Sequence, residues 1–162
     1  LKFQFDFIYP AGGEKHKNHL KLIEALIILS KEGFFPKIFF TLKDSDYTNM
    51  NIKYFIKKYN LKIYNQYFEN HEKLIEIYNL SKAIIFPSLH ESLGLPLIEG
   101  LNLKKDIIAS EMDYVRDQVS PVESFDPNSS LSIARAISRY LKYDMELEDN
   151  LDHKLLLDYL FK

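Results

Sequence analysis

The sequence predicts an α/β fold: a doubly wound parallel sheet of about six strands with helices on both faces. Short, mostly apolar segments alternate along the chain with longer segments whose apolar residues recur at helical spacing. Strands that alternate with helices favour a parallel sheet. Several of the short segments are apolar at nearly every position, which is typical of strands covered on both faces. The length of 162 residues predicts a single domain.

In the first half of the chain, apolar residues predict strands at residues 3–9, 37–42 and 61–67. Apolar stripes predict one helix between Asn18 and Gly33, a second at residues 52–59 and a third after Asn70. Both asparagines are expected to cap their helices, because an Asn oxygen can accept from the first free backbone N–H groups. Gly33 suits the position just past a helix C-terminus.

The second half continues the alternation. Residues 83–86 predict a buried strand that stops at Pro87, which cannot donate to a ladder. Pro96 fits the first turn of a helix that runs to about Leu103. The remaining predicted elements are strands at 107–109 and 122–125, helices at 115–119 and 131–141, and a helical tail at 145–162. The succession of elements is that of a Rossmann-like domain.

The composition excludes several classes of protein. The absence of cysteine excludes a disulfide scaffold, a thiolate metal site and a cysteine nucleophile. The 21 Lys and Arg residues against 23 Asp and Glu residues give a net charge of -2, so no basic footprint for nucleic acid is present. No apolar run approaches the ~20 residues of a membrane helix, and no transmembrane segment is predicted.

A doubly wound sheet binds ligands beside the carboxyl ends of its strands. The loop after the first strand, residues 10–18, contains two glycines and carries Lys15, His16 and Lys17 just before a helix. A helix N-terminus with nearby cations is suited to an anion. A solvated basic turn explains the same residues, and the loop matches neither the GxGxxG fingerprint nor a Walker A loop.

The segment after the fourth strand, PSLHESLGLPLIE, carries two carboxylates eight residues apart. Glu91 falls in the loop, and Glu99 lies about one turn into the next helix. A carboxylate can accept from both hydroxyls of a vicinal diol, such as that of a ribose or a hexose. Backbone N–H groups around Gly94 suit an anion or sugar hydroxyls. Taken singly, Glu91 is more simply explained as an acid that complements a helix dipole, and Glu99 as a solvated residue.

Four segments together resemble family 4 retaining glycosyltransferases of the GT-B fold. PSLHESLGLPLIE resembles the family's donor-nucleotide motif, E-x(7)-E, and YPAGGEKHKNH is similar to the loop after the first strand of its C-terminal domain. DIIASEMDYVRD and SFDPNSSLSIARAI resemble two further segments of that domain. The four occur in the family's order, and the resemblance covers residues 7–143. It implies the nucleotide-sugar-binding half of such an enzyme.

The resemblance implies a role for each matching residue of the second segment. Glu99 is expected to bind the ribose hydroxyls of the nucleotide. Glu91 is expected to lie by the donor sugar, at the reacting face. The backbone at Ser92, Leu93 and Gly94 is expected to meet the sugar or its diphosphate.

Further roles follow from the same resemblance. Lys17 is expected to neutralise the diphosphate leaving group, and the base is expected near residues 65–67, with Tyr67 as the candidate side chain. His90 is a candidate contact for a donor phosphate, or an ordinary loop histidine. No metal and no other cofactor is expected, because the nucleotide sugar is a co-substrate and members of the family need no metal.

Two positions depart from the family's pattern. Ala11 stands where many members carry an arginine, and Lys15 or His16 is expected to supply the missing charge. Lys43 follows the second strand, where the family often has a glycine; it is a candidate substitute contact or a solvated residue, and we favour the solvated residue. Four histidines are expected at the surface: His16, His19, His71 and His153.

The implied function is retaining transfer of a hexose from a UDP- or GDP-sugar to a growing surface glycan of the O-antigen, lipopolysaccharide or capsule type. The glycan or lipid-linked acceptor is expected on an N-terminal domain absent from residues 1–162, so the chain is expected to bind donor without transferring sugar. The expected location is cytoplasmic, with the full-length enzyme peripheral at the inner face of the membrane. The alternative is a non-catalytic Rossmann-like nucleotide-binding or regulatory module.

Overall fold

A single parallel sheet organises this chain, whose computed structural model describes residues 2–144. Within that range the sheet has six strands in the order β3-β2-β1-β4-β5-β6, and every neighbouring pair is parallel. The strands are β1 (Phe5–Tyr9), β2 (Lys37–Phe40), β3 (Lys62–Asn65), β4 (Ser81–Phe86), β5 (Asp106–Ser110) and β6 (Glu123–Phe125). The predicted α/β, Rossmann-like class is confirmed.

Helices follow the strands in turn. They are α1 (His19–Lys31), α2 (Asp44–Asn49), α3 (Ile52–Tyr59), α4 (His71–Leu80), α5 (Leu95–Asn102), α6 (Asp113–Arg116) and α7 (Ser130–Leu141). A 3-10 turn, Lys15–Lys17, precedes α1. Helices α1 and α7 pack against each other, while α4 and α5 both pack on β4. The predicted tail at 145–162 lies outside the described residues.

The core forms around the two central strands, β1 and β4. Phe7 of β1 lies opposite Ala83 of β4, Ile8 lies opposite Ile84, and all four side chains are fully buried. Burying a side chain of this kind contributes roughly 1.5–3 kcal/mol for the larger apolar residues. The nearly continuous apolar character of these strands is therefore explained by cover on both faces.

Gly100 allows α5 to approach the sheet closely. A Cβ placed there would lie 2.4 Å from Cδ1 of Ile84 and 3.1 Å from Cδ1 of Ile107. With any larger residue, the Ile84 side chain or the helix itself would have to shift. The neighbouring residue, Glu99, is thus set on a helix that is seated tightly against the centre of the sheet.

The strands of the first half are shorter than predicted, and one helix was missed. β2 ends at Phe40 and β3 at Asn65, because the side chain of Asn65 pairs with the backbone of Leu42: the Leu42 N–H donates to Oδ1 at 2.9 Å and Nδ2 donates to the Leu42 carbonyl at 3.0 Å. Helix α2, with the polar sequence DSDYTN, has no buried residue and so carries no apolar stripe. Hydrophobic periodicity could not have found it.

The two predicted asparagine caps have different outcomes. Asn70 caps α4, and its side chain accepts from the N–H of Glu72. Asn18 precedes α1 but makes no side-chain cap; its Nδ2 donates instead to the carbonyls of Pro87 at 3.0 Å and Pro127 at 2.7 Å. Gly33 has the predicted left-handed backbone just beyond α1, with φ of 83°. The Asn18 amide thus joins three loops instead of capping one helix.

The expected surface position of His19 is wrong. Its side chain is buried, with the ring 4.6 Å from that of Tyr9 and 5.1 Å from that of Phe40. Neither ring nitrogen has a hydrogen-bond partner among the described residues. Burial, with a smaller effect of the nearby Lys17 charge, lowers the pKa of His19 from 6.5 to about 3.

We expect His19 to make the fold acid-sensitive below pH 6.5. A histidine with a lowered folded-state pKa binds its proton in the unfolded chain first, so the free energy of unfolding falls as pH falls from 6.5 towards 3. Each pH unit in that window lowers the free energy of unfolding by about 1.4 kcal/mol. The loss between pH 6.5 and pH 5 is therefore about 2 kcal/mol. Urea unfolding of the wild type and of His19→Phe across this window measures the effect.

The matched control for that experiment is His71→Asn, because His71 is exposed. The His71→Asn variant should lose stability with the same slope as the wild type, whereas His19→Phe should have a flatter profile. Equal slopes for the wild type and His19→Phe would contradict the assignment of the acid sensitivity to His19.

Candidate active site

The candidate site is a cleft at the carboxyl ends of β1 and β4. The chain runs outward from β1 to β3 and then returns to place β4 on the other side of β1, so the cleft lies at the topological switch point of the sheet. Its volume is about 670 Å³. It is lined by residues 10–14, Lys17, Thr41, Lys43, Asp46, Tyr67, Phe68, Leu74, residues 91–96 and Glu99.

An ion pair joins the two loops that were predicted to carry the site. Nζ of Lys17 donates to both carboxylate oxygens of Glu91, at 2.7 and 2.8 Å. The hydroxyl of Ser88 donates to Oε1 of the same carboxylate at 2.6 Å. Only 19% of the lysine side chain and 10% of the glutamate side chain are exposed, so solvent screens this pair less than a surface pair. Sequence separated the two residues by 74 positions; the fold brings them into contact.

Hydrogen bonds to backbone hold these two loops in place. The hydroxyl of Tyr9 donates to the carbonyl of Lys17 at 2.6 Å, and that of Tyr114 donates to the carbonyl of Ser88 at 2.6 Å. The N–H of Leu89 donates to the carbonyl of His16 at 2.8 Å. Both loops are therefore ordered before any ligand enters, which reduces the entropy that binding must overcome.

Both tyrosines remain protonated, as donors must. Burial raises the pKa of Tyr9, and the Glu91 charge raises it further. Burial and, to a lesser degree, the same charge raise the pKa of Tyr114 to about 12. The two hydroxyl groups thus keep their protons, and their hydrogen bonds, throughout the physiological range.

The second glutamate of the predicted motif is fixed by a buried tyrosine. Glu99 lies on α5, and its Oε2 accepts from the hydroxyl of Tyr78 at 2.5 Å. Its Oε1 lies 3.8 Å from Nε2 of His71. A quarter of the Glu99 side chain, 25%, is exposed towards the cleft that it lines. The carboxylate is therefore accessible to a ligand while one of its oxygens is held.

The beginning of α5 offers backbone donors to the same cleft. Gly94 precedes the helix with φ of 55°, a left-handed conformation that favours glycine. Within residues 2–144, the N–H groups of Ser92, Leu93 and Gly94 have no hydrogen-bond partner. Free N–H groups at a helix N-terminus attract anions and hydroxyl oxygens.

The far wall of the cleft is aromatic. Tyr67 follows β3 and is 45% exposed, and Phe68 and Leu74 line the cleft beside it. Nζ of Lys43 lies 5.4 Å from the centre of the Tyr67 ring. Lys43 is exposed, as expected of a solvated residue, and it also lines the cleft beside the aromatic wall. A flat ring at an exposed position provides a surface on which a base can stack.

Negative charge exceeds positive charge in the lining. Among the described residues, the carboxylates of Glu14, Asp46, Glu91 and Glu99 line the cleft, against the two lysines Lys17 and Lys43. Since Glu91 neutralises Lys17, an anionic ligand must compete with that carboxylate or rely on backbone N–H groups. Recognition of an anion here thus depends more on well-placed hydrogen-bond donors than on a strongly positive electrostatic potential.

Two predicted donor contacts do not line this cleft. Lys15 is exposed and lines a separate depression between α1 and α2. His90 is also exposed, with its ring stacked on that of His16 at 4.5 Å. Ala11 is buried and lines the cleft. Of the 3-10 turn, only Lys17 belongs to the cleft lining. The predicted roles of Lys15, His16 and His90 stay predictions.

The sequence did not predict the contact between Tyr78 and Glu99. It occupies an apolar position of the α4 stripe and is fully buried, so its pattern is that of an ordinary core residue. The only available signal was chemical: a buried tyrosine hydroxyl needs a partner. The sequence alone could not identify that partner as Glu99, 21 positions away.

A ligand cleft at the switch point of a parallel sheet ordered 3-2-1-4-5-6 defines a Rossmann-like α/β domain. Within that class, this chain belongs to the family of glycosyl transferases group 1, which matches residues 3–154. The resemblance inferred from the four segments is thereby confirmed.

Similarity to individual proteins agrees with the family. A glycosyltransferase from Rickettsia africae ESF-5 is 27% identical, with a TM-score of 0.70 over 84% of this chain and 37% of its own. Anabaena Alr3699/HepE, crystallised with UDP and glucose, shares the fold at 14% identity, with a TM-score of 0.68 over 86% of this chain and 39% of its own. The serotype-specific mannosyltransferase WbdA of Escherichia coli is 31% identical over 71 residues, 43% of this chain and 9% of WbdA.

The chain therefore spans well under half the length of these relatives. Among the helices that the structure describes, none combines the length and the hydrophobicity needed to cross a bilayer.

Proposed function

We propose that this chain binds the nucleotide-sugar donor of a retaining hexosyltransferase. The observation that carries the proposal is the convergence of Lys17, Glu91 and Glu99 on one cleft at the switch point of the sheet. A nucleoside diphospho-sugar offers a ribose diol, a diphosphate and a hexose in that order. The cleft offers the carboxylate of Glu99, then Lys17 together with the free backbone N–H groups of residues 92–94, and then the carboxylate of Glu91.

In this proposal each part of the donor has its own partner. Glu99 accepts hydrogen bonds from the ribose hydroxyls, since its carboxylate has free acceptor positions in the cleft. Lys17 and the N–H groups of residues 92–94 bind the diphosphate. Tyr67 stacks with the base. Glu91 lies beside the hexose.

The same groups account for catalysis. When the glycosidic bond to the diphosphate breaks, negative charge develops on the leaving oxygens, and Lys17 with the start of α5 stabilises it. The sugar becomes oxocarbenium-like, and the carboxylate of Glu91 stabilises its positive charge. Departure and attack occur on one face of the sugar, which retains the configuration. The charges are supplied by side chains and backbone, so the proposal includes no metal and no other cofactor.

Relatives support the substrate class. WbdA is a mannosyltransferase, and HepE binds UDP and glucose. We therefore propose a UDP- or GDP-hexose as donor and a bacterial surface glycan of the O-antigen, lipopolysaccharide or capsule type as product. The glycan or lipid-linked acceptor is bound outside residues 1–162, on an N-terminal domain of a longer enzyme. That enzyme works in the cytoplasm, at the inner face of the membrane.

A panel of nucleotides tests the binding function. We expect UDP, GDP or ADP at 100 times its dissociation constant to raise the free energy of unfolding by about 2.7 kcal/mol in a thermal-shift assay. The corresponding monophosphates should stabilise less, because they lack the second phosphate that Lys17 and the N–H groups would bind. Failure of all three diphosphates to stabilise the chain would contradict the proposal.

A further inference from the structure

The hydroxyl of Tyr78 controls where the Glu99 carboxylate lies. A glutamate side chain has several rotatable bonds and, on an exposed helix, samples several rotamers. Here one rotamer is held, because Oε2 accepts from the tyrosine hydroxyl at 2.5 Å. A short hydrogen bond to a charged acceptor is stronger than one between neutral groups.

The tyrosine itself has little freedom. Its side chain is fully buried on α4, which packs on β1 and β4. Burial raises its pKa, and the hydrogen bond to Glu99 raises it further, so the hydroxyl keeps its proton. Packing of the ring therefore fixes the direction from which the hydroxyl donates, and this hydrogen bond in turn orients the Glu99 carboxylate.

One oxygen of Glu99 thus already accepts a hydrogen bond from Tyr78, and the other acceptor positions of the carboxylate are available to a ligand. An ionised carboxylate has about four acceptor positions, and the tyrosine uses one of them. His71 does not occupy another, since its Nε2 lies 3.8 Å from Oε1, beyond hydrogen-bond length. Two vicinal hydroxyls can be accepted together only if the carboxylate plane is held in the right orientation.

We propose that Tyr78 is a positioning residue that sets the selectivity of the cleft for a ribose diol by orienting Glu99. This inference rests on the proposed function, in which Glu99 binds the ribose. It differs from a structural role for Tyr78, which would stabilise the fold but treat nucleotides with and without the diol alike.

The experiment compares each nucleoside diphosphate with its 2′,3′-dideoxy analogue by calorimetry. UDP, GDP and ADP are tried first, and the tightest binder is used with its analogue. We expect the wild type to prefer the ribonucleotide by about 100-fold, from two hydrogen bonds to a charged acceptor. In Tyr78→Phe the preference should fall to about tenfold or less, with little change in the affinity for the dideoxy analogue.

Tyr140→Phe is the matched control. The hydroxyl of Tyr140 donates to Oδ2 of Asp106 at 2.8 Å. Asp106 is the first residue of β5, so it lies at the amino ends of the strands, whereas the cleft lies at their carboxyl ends. This variant removes an equivalent tyrosine-to-carboxylate hydrogen bond and should keep the wild-type preference. Glu99→Asp is a second test, because a side chain one methylene shorter withdraws the carboxylate from Tyr78; its preference should fall as well.

The outcomes separate the inference from the function it rests on. An unchanged preference in a folded Tyr78→Phe, or an equal loss of affinity for both nucleotides, would overturn the positioning role while leaving donor binding intact. If Tyr78→Phe does not fold, an unchanged preference in Glu99→Asp would overturn it. A wild type that binds no diphosphate, or binds both forms equally, would overturn the proposed ribose site and the inference with it.

Discussion

Glu99→Ala is expected to lower the affinity for a nucleoside diphosphate by about 100-fold or more. Each ribose hydroxyl that donates to the carboxylate contributes about 1.5–3 kcal/mol, as a hydrogen bond to a charged group. Removing a negative charge from an already acidic cleft should by itself favour an anionic ligand. The change in charge therefore cannot explain a loss of affinity in this variant. Calorimetry with the tightest diphosphate of the panel measures it.

Glu76→Ala is the matched control, because it removes an exposed carboxylate from α4 that does not line the cleft. It should bind as the wild type does. Glu99→Gln addresses folding: its amide oxygen can still accept from Tyr78, while its NH₂ group cannot accept from ribose. It should remain folded and still bind weakly. Wild-type affinity in both Glu99 variants would refute the ribose assignment.

The fold and the residues of the two central loops could be predicted from local patterns. Continuous apolar strands and amphipathic helices predict the sheet. The spacing of Glu91 and Glu99 indicates a motif of the family, and the family itself is confirmed. Element ends were less accurate, because contacts such as that of Asn65 with the Leu42 backbone decide them. Such contacts join residues that periodicity treats separately.

Partners within the site could not be predicted at all. Lys17 and Glu91 were assigned to different parts of a donor, and nothing local indicates that they contact each other. His19 looked like a polar surface residue, but aromatic neighbours from β1 and β2 enclose it. Tyr78 has the pattern of a core residue; it is buried, and its hydroxyl also donates to the Glu99 carboxylate. In each case, contacts between residues far apart in the sequence determine the burial and the hydrogen-bond partners of the side chain, and these in turn determine its chemistry.

The ion pair of Lys17 and Glu91 predicts opposite effects for its two members. Lys17→Ala should lower the affinity for a bare nucleoside diphosphate by about 10- to 100-fold, because a charge-assisted hydrogen bond is lost. Glu91→Gln should raise that affinity several-fold. Both carboxylate oxygens hold the lysine, at 2.7 and 2.8 Å, so a diphosphate must compete for it. A neutral amide competes less and does not repel the anion.

The nucleotide sugar should behave differently from the bare diphosphate. If Glu91 lies beside the hexose, Glu91→Gln weakens the contribution of the sugar even as it frees Lys17 for the phosphates. The ratio of the affinity for the nucleotide sugar to that for the diphosphate should therefore fall in Glu91→Gln. Lys15→Ala, which removes an exposed lysine outside the cleft lining, tests separately whether Lys15 supplies charge to the diphosphate. A carboxylate that competes for Lys17 and repels the anion cannot help to bind it, so its removal should not lower the affinity. Equal losses of diphosphate affinity in Lys17→Ala and Glu91→Gln would therefore mean that the pair acts only as a structural link between the two loops.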